Sequence, residues 1–252
     1  MRLFCEALWI QKAGNAEAEY EDAFWPRPRL FGDSEKRFSV AVADGATESS
    51  FSGIWAKQLV RAYCHGNIDF ANIRASLPAL QEKWARMVGR KKLPWYAEEK
   101  VRHGAFSSIL GLSLEEGDQS GKSGSWRAVA VGDTCLVHVR GDELLASFPL
   151  SASAEFNSSP LLVGSTSDSN NEIDDHIRQA NGFWEFGDSF YLMTDAIAKW
   201  FFLEFEEKHC PWRTLRDLDS DQNLPFQPWV EGLRESKTLR NDDVTLYRID
   251  IS

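Results

Sequence analysis

Arg37-Phe38-Ser39-Val40-Ala41-Val42-Ala43-Asp44-Gly45-Ala46 is a run that turns wholly apolar and then closes on an acid and a glycine. Such a run, with alternating valines, reads as a buried strand. A strand end is held by its neighbours, so a carboxylate there has a fixed position. Gly45 has no Cβ, so its backbone and carbonyl can come close to a ligand. Asp44 therefore has two readings: a hard-oxygen metal ligand, or a cap for the following helix. Beyond Gly45 the chain is small and polar through Ser50. Ile54, Trp55, Leu59, Val60 and Tyr63 then fall at helical spacing.

Three more aspartates stand in comparable settings. Asp22 lies in Tyr20-Glu21-Asp22-Ala23-Phe24, Asp195 follows Phe190-Tyr191-Leu192-Met193-Thr194, and Asp242 precedes Asp243-Val244-Thr245-Leu246. The first three of the four read as sitting at, or just beyond, the end of an apolar run, and Asp242 as opening one. Carboxylates that converge on one sheet edge form a site for Mg²⁺ or Mn²⁺. Each also has a plainer reading. Asp195 can cap a helix and Asp242 can sit in a solvated turn. Asp22 belongs to an acidic run with Glu17, Glu19 and Glu21 that would ordinarily face solvent. Asp242 and Asp243 are adjacent, so in an extended segment only one of them faces a given site. Asp133, in Gly132-Asp133-Thr134 after Val129-Ala130-Val131, either holds a peripheral ion or starts a hairpin.

Taken in order, these segments resemble the metal-dependent protein phosphatases of type 2C, the PPM family, in a divergent, bacterial-like form. The matching elements are Glu21-Asp22-Ala23, Ala43-Asp44-Gly45, Gly132-Asp133-Thr134, Thr194-Asp195-Ala196 and Asp242-Asp243-Val244-Thr245. The resemblance implies two core ions, Mn²⁺ or Mg²⁺, and a third at Asp133. Asp44 would bridge the core pair. Asp22 and the Gly45 carbonyl would complete one ion, and Asp195 and Asp242 the other. Asp44 and Asp22 would then act catalytically through a metal-bound water that attacks phosphorus in line.

The chain departs from that pattern in three places. Ala196 stands where the family usually has glycine. Ala46 stands where eukaryotic members carry a histidine proposed as leaving-group acid. The arginine that many members place shortly before Glu-Asp is absent, and Glu17, Ala18 and Glu19 occupy that stretch. Lys12 and Arg27 are the substitutes named for phosphate capture, with Arg29 close by; a lysine offers only a point charge where arginine offers a fork.

Composition agrees with a folded enzyme-sized domain. The chain has 252 residues, 43% hydrophobic and 26% charged, enough for a sizeable core in one domain spanning 1–252. A net charge of −10 argues against nucleic acid as a partner. No apolar run approaches the ~20 residues of a membrane helix, and the first residues lack a signal peptide's apolar core. Cys5, Cys64, Cys135 and Cys210 are widely spaced and read as reduced thiols of a cytoplasmic protein. His65, His103, His138, His176 and His209 form no metal-spaced cluster and read as structural or surface residues.

The pattern predicts strands over 3–10, 37–43, 106–114, 126–131, 135–139, 143–148, 189–194 and 244–251. Helices are expected after Ser50, after an Asp69 cap with a kink at Pro78, and over 196–207 and 226–236. Residues 115–125 and 151–182 read as loops. Strands, paired helices, more strands, helices and a last strand make an α+β fold. The resemblance specifies two packed antiparallel sheets flanked by helices, an α-β-β-α sandwich. The implied activity is that of a phosphoserine/phosphothreonine protein phosphatase, a monomer set in a signalling system with a Ser/Thr kinase. Two other readings stand beside it: a PPM-fold regulatory or binding module with little or no activity, and a phosphoesterase for small molecules.

Overall fold

Two long runs pair along their whole length. β1 (Leu3–Ile10) and β13 (Val244–Ile251) are antiparallel, with Leu3 opposite Ile251 and Ile10 opposite Val244. The computed structural model describes residues 1–27, 30–31, 36–91, 101–117, 122–156, 160–219 and 224–252. β12 (Asp188–Met193), β8 (Cys135–Arg140) and β9 (Glu143–Phe148) extend this sheet on one side, and β3 (Leu30–Phe31) on the other. The order is β3-β1-β13-β12-β8-β9. A second antiparallel sheet has β2 (Ala23–Trp25), β4 (Arg37–Ala43), β6 (Ile109–Glu116), β7 (Ser123–Val131) and β11 (Arg178–Glu185), in the order β11-β7-β6-β4-β2. A two-residue pair joins β5 (Phe106–Ser107) to β10 (Val163–Gly164).

The period of two along each strand explains the layers. Val40 and Val42 face the other sheet, in a core shared with Leu112, Leu136, Leu192 and Tyr247. Ala41 and Ala43 face outward, against Ala56 and Val60 of α1 (Ser52–Cys64). Both faces of β4 are thus covered, which is why the strand is apolar at every position near its end. Small alanines on the outer face let α1 lie close. α2 (Ile73–Gly89) and the short α3 (Ile173–His176) cover the same side, where Trp55, Leu77 and Trp84 pack on Ile109 and Val131. On the other side Val137, Tyr191 and Leu246 meet α4 (Asp195–Glu206), α5 (Pro211–Asp217) and α6 (Phe226–Glu235) through Phe201, Trp212 and Val230. Helices, sheet, sheet, helices is the α-β-β-α sandwich. Among the described residues no helix is long and apolar enough to cross a membrane.

The structure corrects several expectations. The run 106–114 breaks at Ser108, and its two halves join different partners. The region 151–182 is not all loop: Arg178–Glu185 forms an edge strand paired to β7. Its weak alternation, with Phe183 80% exposed, hid it. The loop over 115–125 is shorter than expected, since β6 reaches Glu116 and β7 starts at Ser123; residues 118–121 lie outside the described residues. Asp69 caps a one-turn 3-10 helix, accepting from Ala71 N, and α2 follows and runs through Pro78.

At one end of the sandwich, Asp188 is fully buried. It accepts from Arg140 Nε at 2.7 Å and from the Glu185 backbone at 2.8 Å, and its Oδ2 lies 2.8 Å from His138 Nε2. Burial opposes the Asp188 charge, but the Arg140, Glu185 and His138 bonds outweigh it, and the carboxyl titrates below its usual range. The His138 ring stacks on Phe190 at 4.3 Å and is a structural residue.

Candidate metal centre and substrate cleft

The other end gathers the aspartates, and strand register shows why. Ala23 pairs with Ala43, so Asp22 and Asp44 follow one another at the same edge. Cys135 pairs with Met193, which brings the Gly132–Thr134 turn beside Thr194 and Asp195. Met193 pairs with Leu246, so the residues preceding β13 reach the same edge. Ile109 pairs with Val131, which puts Ser108 next to Gly132. Five chain segments thus deliver five carboxylates to one place. Asp22 precedes β2 rather than ending a strand, contrary to the sequence reading.

Asp44, Asp133, Asp195 and Asp242 line a cleft of about 890 Å³. Asp22 is fully buried behind it. Thr245 Oγ1 donates to Asp22 Oδ2 at 2.7 Å, and the Tyr20 hydroxyl lies 2.5 Å from the same Thr245 oxygen. Asp44 is tied through its backbone, whose N–H reaches Ser108 Oγ and whose carbonyl accepts from Ser108 N. Ser108 Oγ also lies 2.5 Å from Thr134 Oγ1, so one buried serine couples the Asp44 and Asp133 segments. Sequence reasoning missed Ser108; it sits at the break in the apolar run 106–114.

Gly45 is required by close approach. A Cβ there would lie 2.7 Å from the Glu21 carbonyl oxygen and 3.0 Å from Ser52. Gly132 is required by conformation: its φ is 97°, in the left-handed region, and a Cβ would meet Ser108 Cβ at 2.6 Å.

Asp242 and Asp243 do face opposite ways. Asp242 lines the cleft. Asp243 accepts from the backbone N–H of Lys12 at 2.7 Å and of Glu21 at 2.6 Å, fastening the N-terminal segment to the start of β13. Glu21 is also held by the Ser52 hydroxyl.

The electrostatics are those of crowded, buried acids. Burial, then the charges of Asp22, Asp195, Asp133 and Asp242, push the Asp44 carboxyl well above its ordinary range. Burial does the same to Asp22 against the Thr245 bond, with Asp243 and Asp195 adding to it. Asp133 is pushed up to about 7, mainly by burial and then by Asp195. Asp195 is raised by burial although Arg240 opposes the shift. Asp22 Oδ1 and Asp195 Oδ1 are buried and, among the described residues, meet no hydrogen-bond donor. Buried carboxylate oxygens without donors are costly. Closely set hard anionic oxygens with free lone pairs are the donor set a divalent Mg²⁺ or Mn²⁺ takes. The residues present therefore fit such ions.

Two cleft residues lay outside the sequence reading. Arg240 Nη2 lies 2.8 Å from Asp195 Oδ2 and also bonds Asp242 Oδ2. Its position two residues before Asp242 was the available signal. His103, taken as structural or surface, lines the cleft together with the apolar wall of Phe106, Leu161 and Leu162. Of the residues named for phosphate capture, Lys12 lines the cleft. Arg27 does not: it is exposed, two residues beyond β2. Arg29 lies outside the described residues. Glu17 and Glu19 sit on an exposed one-turn helix, where Glu19 receives the Ala16 N–H, and neither lines the cleft.

The backbone is similar to those of solved serine/threonine phosphatases over the full chain. One is the Mycobacterium tuberculosis serine/threonine phosphatase PstP/Ppp, with a TM-score of 0.62, 14% identity and 100% of both chains covered. Another is the photosystem II phosphatase PBCP, with a TM-score of 0.57, 13% identity and 99% of each chain covered. A third is the catalytic domain of PstP in complex with two manganese ions, with a TM-score of 0.54, 14% identity, and 99% of this chain and 100% of that one covered. The fold is that of the type 2C phosphatases. No family model matches the sequence, and no curated protein sequence matches it.

Proposed function

We propose that the protein is a metal-dependent phosphatase of phosphoserine and phosphothreonine in proteins. The observation that carries this is the convergence of Asp22, Asp44, Asp133, Asp195 and Asp242, with two buried oxygens lacking donors. Asp22, Asp44, the Gly45 carbonyl, Asp195 and Asp242 would hold two core ions, and Asp133 a third. Bound Mn²⁺ or Mg²⁺ supplies positive charge that acidifies a water and neutralises phosphoryl oxygens.

The chain's own residues do the rest. Thr245 and Tyr20 hold Asp22 in one orientation. Ser108 fixes the Asp44 backbone against the Asp133 turn. The cleft lining, with Lys12 and the apolar Leu161–Leu162, positions a phosphorylated side chain and excludes water around it. Ala46 has no proton to give. Thr47, Glu48 and His103 line the cleft beside it and are the candidate donors of a proton to the leaving alkoxide.

The test is hydrolysis of an aryl phosphate and of a phosphoserine peptide with Mn²⁺, with Mg²⁺ and with excess chelator. Activity that survives the chelator overturns the proposal. A second reading, a binding module with this fold, is favoured by one observation: Arg240 already pairs with Asp195 and Asp242 from within the chain. Tight Mn²⁺ binding without turnover would select it.

A further inference from the structure

A second groove of about 460 Å³ adjoins the cleft and shares Asp195 and Arg240 with it. Trp200, Phe156 and Leu203 give it an apolar floor, and Lys199, Lys237 and Arg240 supply the charge. Lys199 is four residues after Asp195 on α4, which puts both on one helix face. Lys237 occupies the tight turn after α6, with φ 60°, a conformation rare for a residue with a side chain. Both lysines are exposed, and among the described residues neither forms an ion pair. Asp195 is the one acid in the groove's lining, and Arg240 already neutralises it. Further along α4, Glu204 is engaged by His209 and Glu206 by Ser153. In a chain of net charge −10, Lys199 and Lys237 are two uncompensated cations in one groove, a local reversal of sign.

We propose that this groove receives an acidic stretch of the substrate, flanking the phosphorylated residue that enters the cleft. The inference rests on the phosphatase reading for what occupies the cleft. Arg240 stands at the junction, within reach of both regions. Lys199 and Lys237 lie farther out, where they meet Asp or Glu side chains of the peptide. Charges on a groove rim steer encounter and set partner choice more than they add raw affinity. The preference should therefore be salt-sensitive.

The experiment is fluorescence anisotropy on the full chain with Mn²⁺, using labelled phosphoserine peptides flanked by either Asp/Glu or Ala. The acidic peptide should bind more tightly by on the order of 10-fold at low salt, the sum of a few exposed charge pairs. The Lys199→Glu/Lys237→Glu double variant should lose this preference and keep its hydrolysis of a small aryl phosphate. In the wild type, added salt should erase most of the difference, a result that needs no variant to fold. Equal binding of the two peptides, a preference insensitive to salt, or a preference intact in a folded double variant would each overturn the proposal. A concentration-dependent dimer dispersed by the charge reversal would assign the groove to a second copy of the chain, and so overturn it too. Acid preference without turnover would uphold the groove and sink the phosphatase reading; turnover without acid preference would do the opposite.

Discussion

Thr245 donates its hydroxyl to Asp22 Oδ2 at 2.7 Å across 223 positions of the chain. Because that proton is committed to Asp22, the Tyr20 hydroxyl must be the donor in its own 2.5 Å contact with Thr245 Oγ1. A buried relay thus sets the face Asp22 turns to the centre. Thr245→Val keeps the shape and removes the relay. Partners of metal-holding carboxylates are typically worth about 10- to 100-fold in metal affinity. We expect Mn²⁺ to bind Thr245→Val about 10-fold more weakly by calorimetry, with little change in circular dichroism. Unchanged affinity would show that Asp22 is oriented by other means.

The acids also predict how stability responds to pH. Without metal, burial raises Asp22, Asp44 and Asp195, and carries Asp133 from 3.8 to about 7. The folded chain then keeps protons that the unfolded chain has released. Stability is present at the acid side and falls as pH rises from the ordinary carboxylate range through about 7. Asp188 shifts the other way and stays ionised throughout this window. In chelator, Tm should be higher near pH ~5.5 than near pH ~8 by a few degrees, and Mn²⁺ should remove most of the difference. A Tm that rises with pH in chelator would contradict the crowded-acid description.

Asp44 and Asp133 should differ sharply. The carboxyl of Asp44 is beset by four acids, whereas Asp133 sits in the turn between β7 and β8. In the proposed centre Asp44 would serve both core ions. Asp44→Asn should therefore reduce turnover by roughly 1,000-fold or more, and Asp133→Asn by about 10-fold. Steady-state kinetics at saturating Mn²⁺ make the comparison. If Asp133→Asn were the more damaging change, the assignment of the core would be wrong.

Gly45→Ala tests a steric relationship. The added Cβ would sit 2.7 Å from the Glu21 carbonyl oxygen, so the Glu21–Asp22 segment must move away from Asp44. Overpacking of this kind costs about 1–3 kcal/mol in stability. Chemical denaturation should register that loss, and Mn²⁺ affinity should drop with it.

Asp188→Ala gives a contrast far from the cleft. It strands His138 and leaves Arg140 with Glu185 alone, where Asp188 had joined both to the β11–β12 turn. We expect a loss of about 2–3 kcal/mol, the scale of hydrogen bonds to a charged group. Mn²⁺ affinity should be unaffected in the folded variant, and a loss there would mean that the two ends of the sandwich are coupled.

Much of this was legible in the sequence because several strands announce themselves as continuous apolar or alternating runs. The runs 3–10, 37–43 and 244–251 were read with their observed bounds. The aspartates at their ends could be named because strand ends are where a sheet exposes rigid positions. Arg178–Glu185 was not legible, since an edge strand with one exposed face carries Gln, Asn and Gly where a central strand carries Val. Arg240 and Ser108 were missed for another reason. Each reaches a partner distant in the chain, Asp195 and Asp44, and only Arg240, two residues before Asp242, carried a local signal. Arg27 was named because it is near Glu21-Asp22 in sequence; β2 carries the chain away from the cleft before Arg27 is reached.

The strand order has a consequence for the growing chain. Among the described strands β13 comes last in the sequence, yet it lies inside its sheet, between β1 and β12. A nascent chain that has reached Arg240 has made the other described strands of this sheet and still has a slot where β13 belongs. β1 must wait for a neighbour made more than two hundred residues later, and such distant pairing is slow. Asp22 meets Thr245 in that same event. Completion of the sheet and completion of the acidic centre are one step, so no partly made chain can present a finished site.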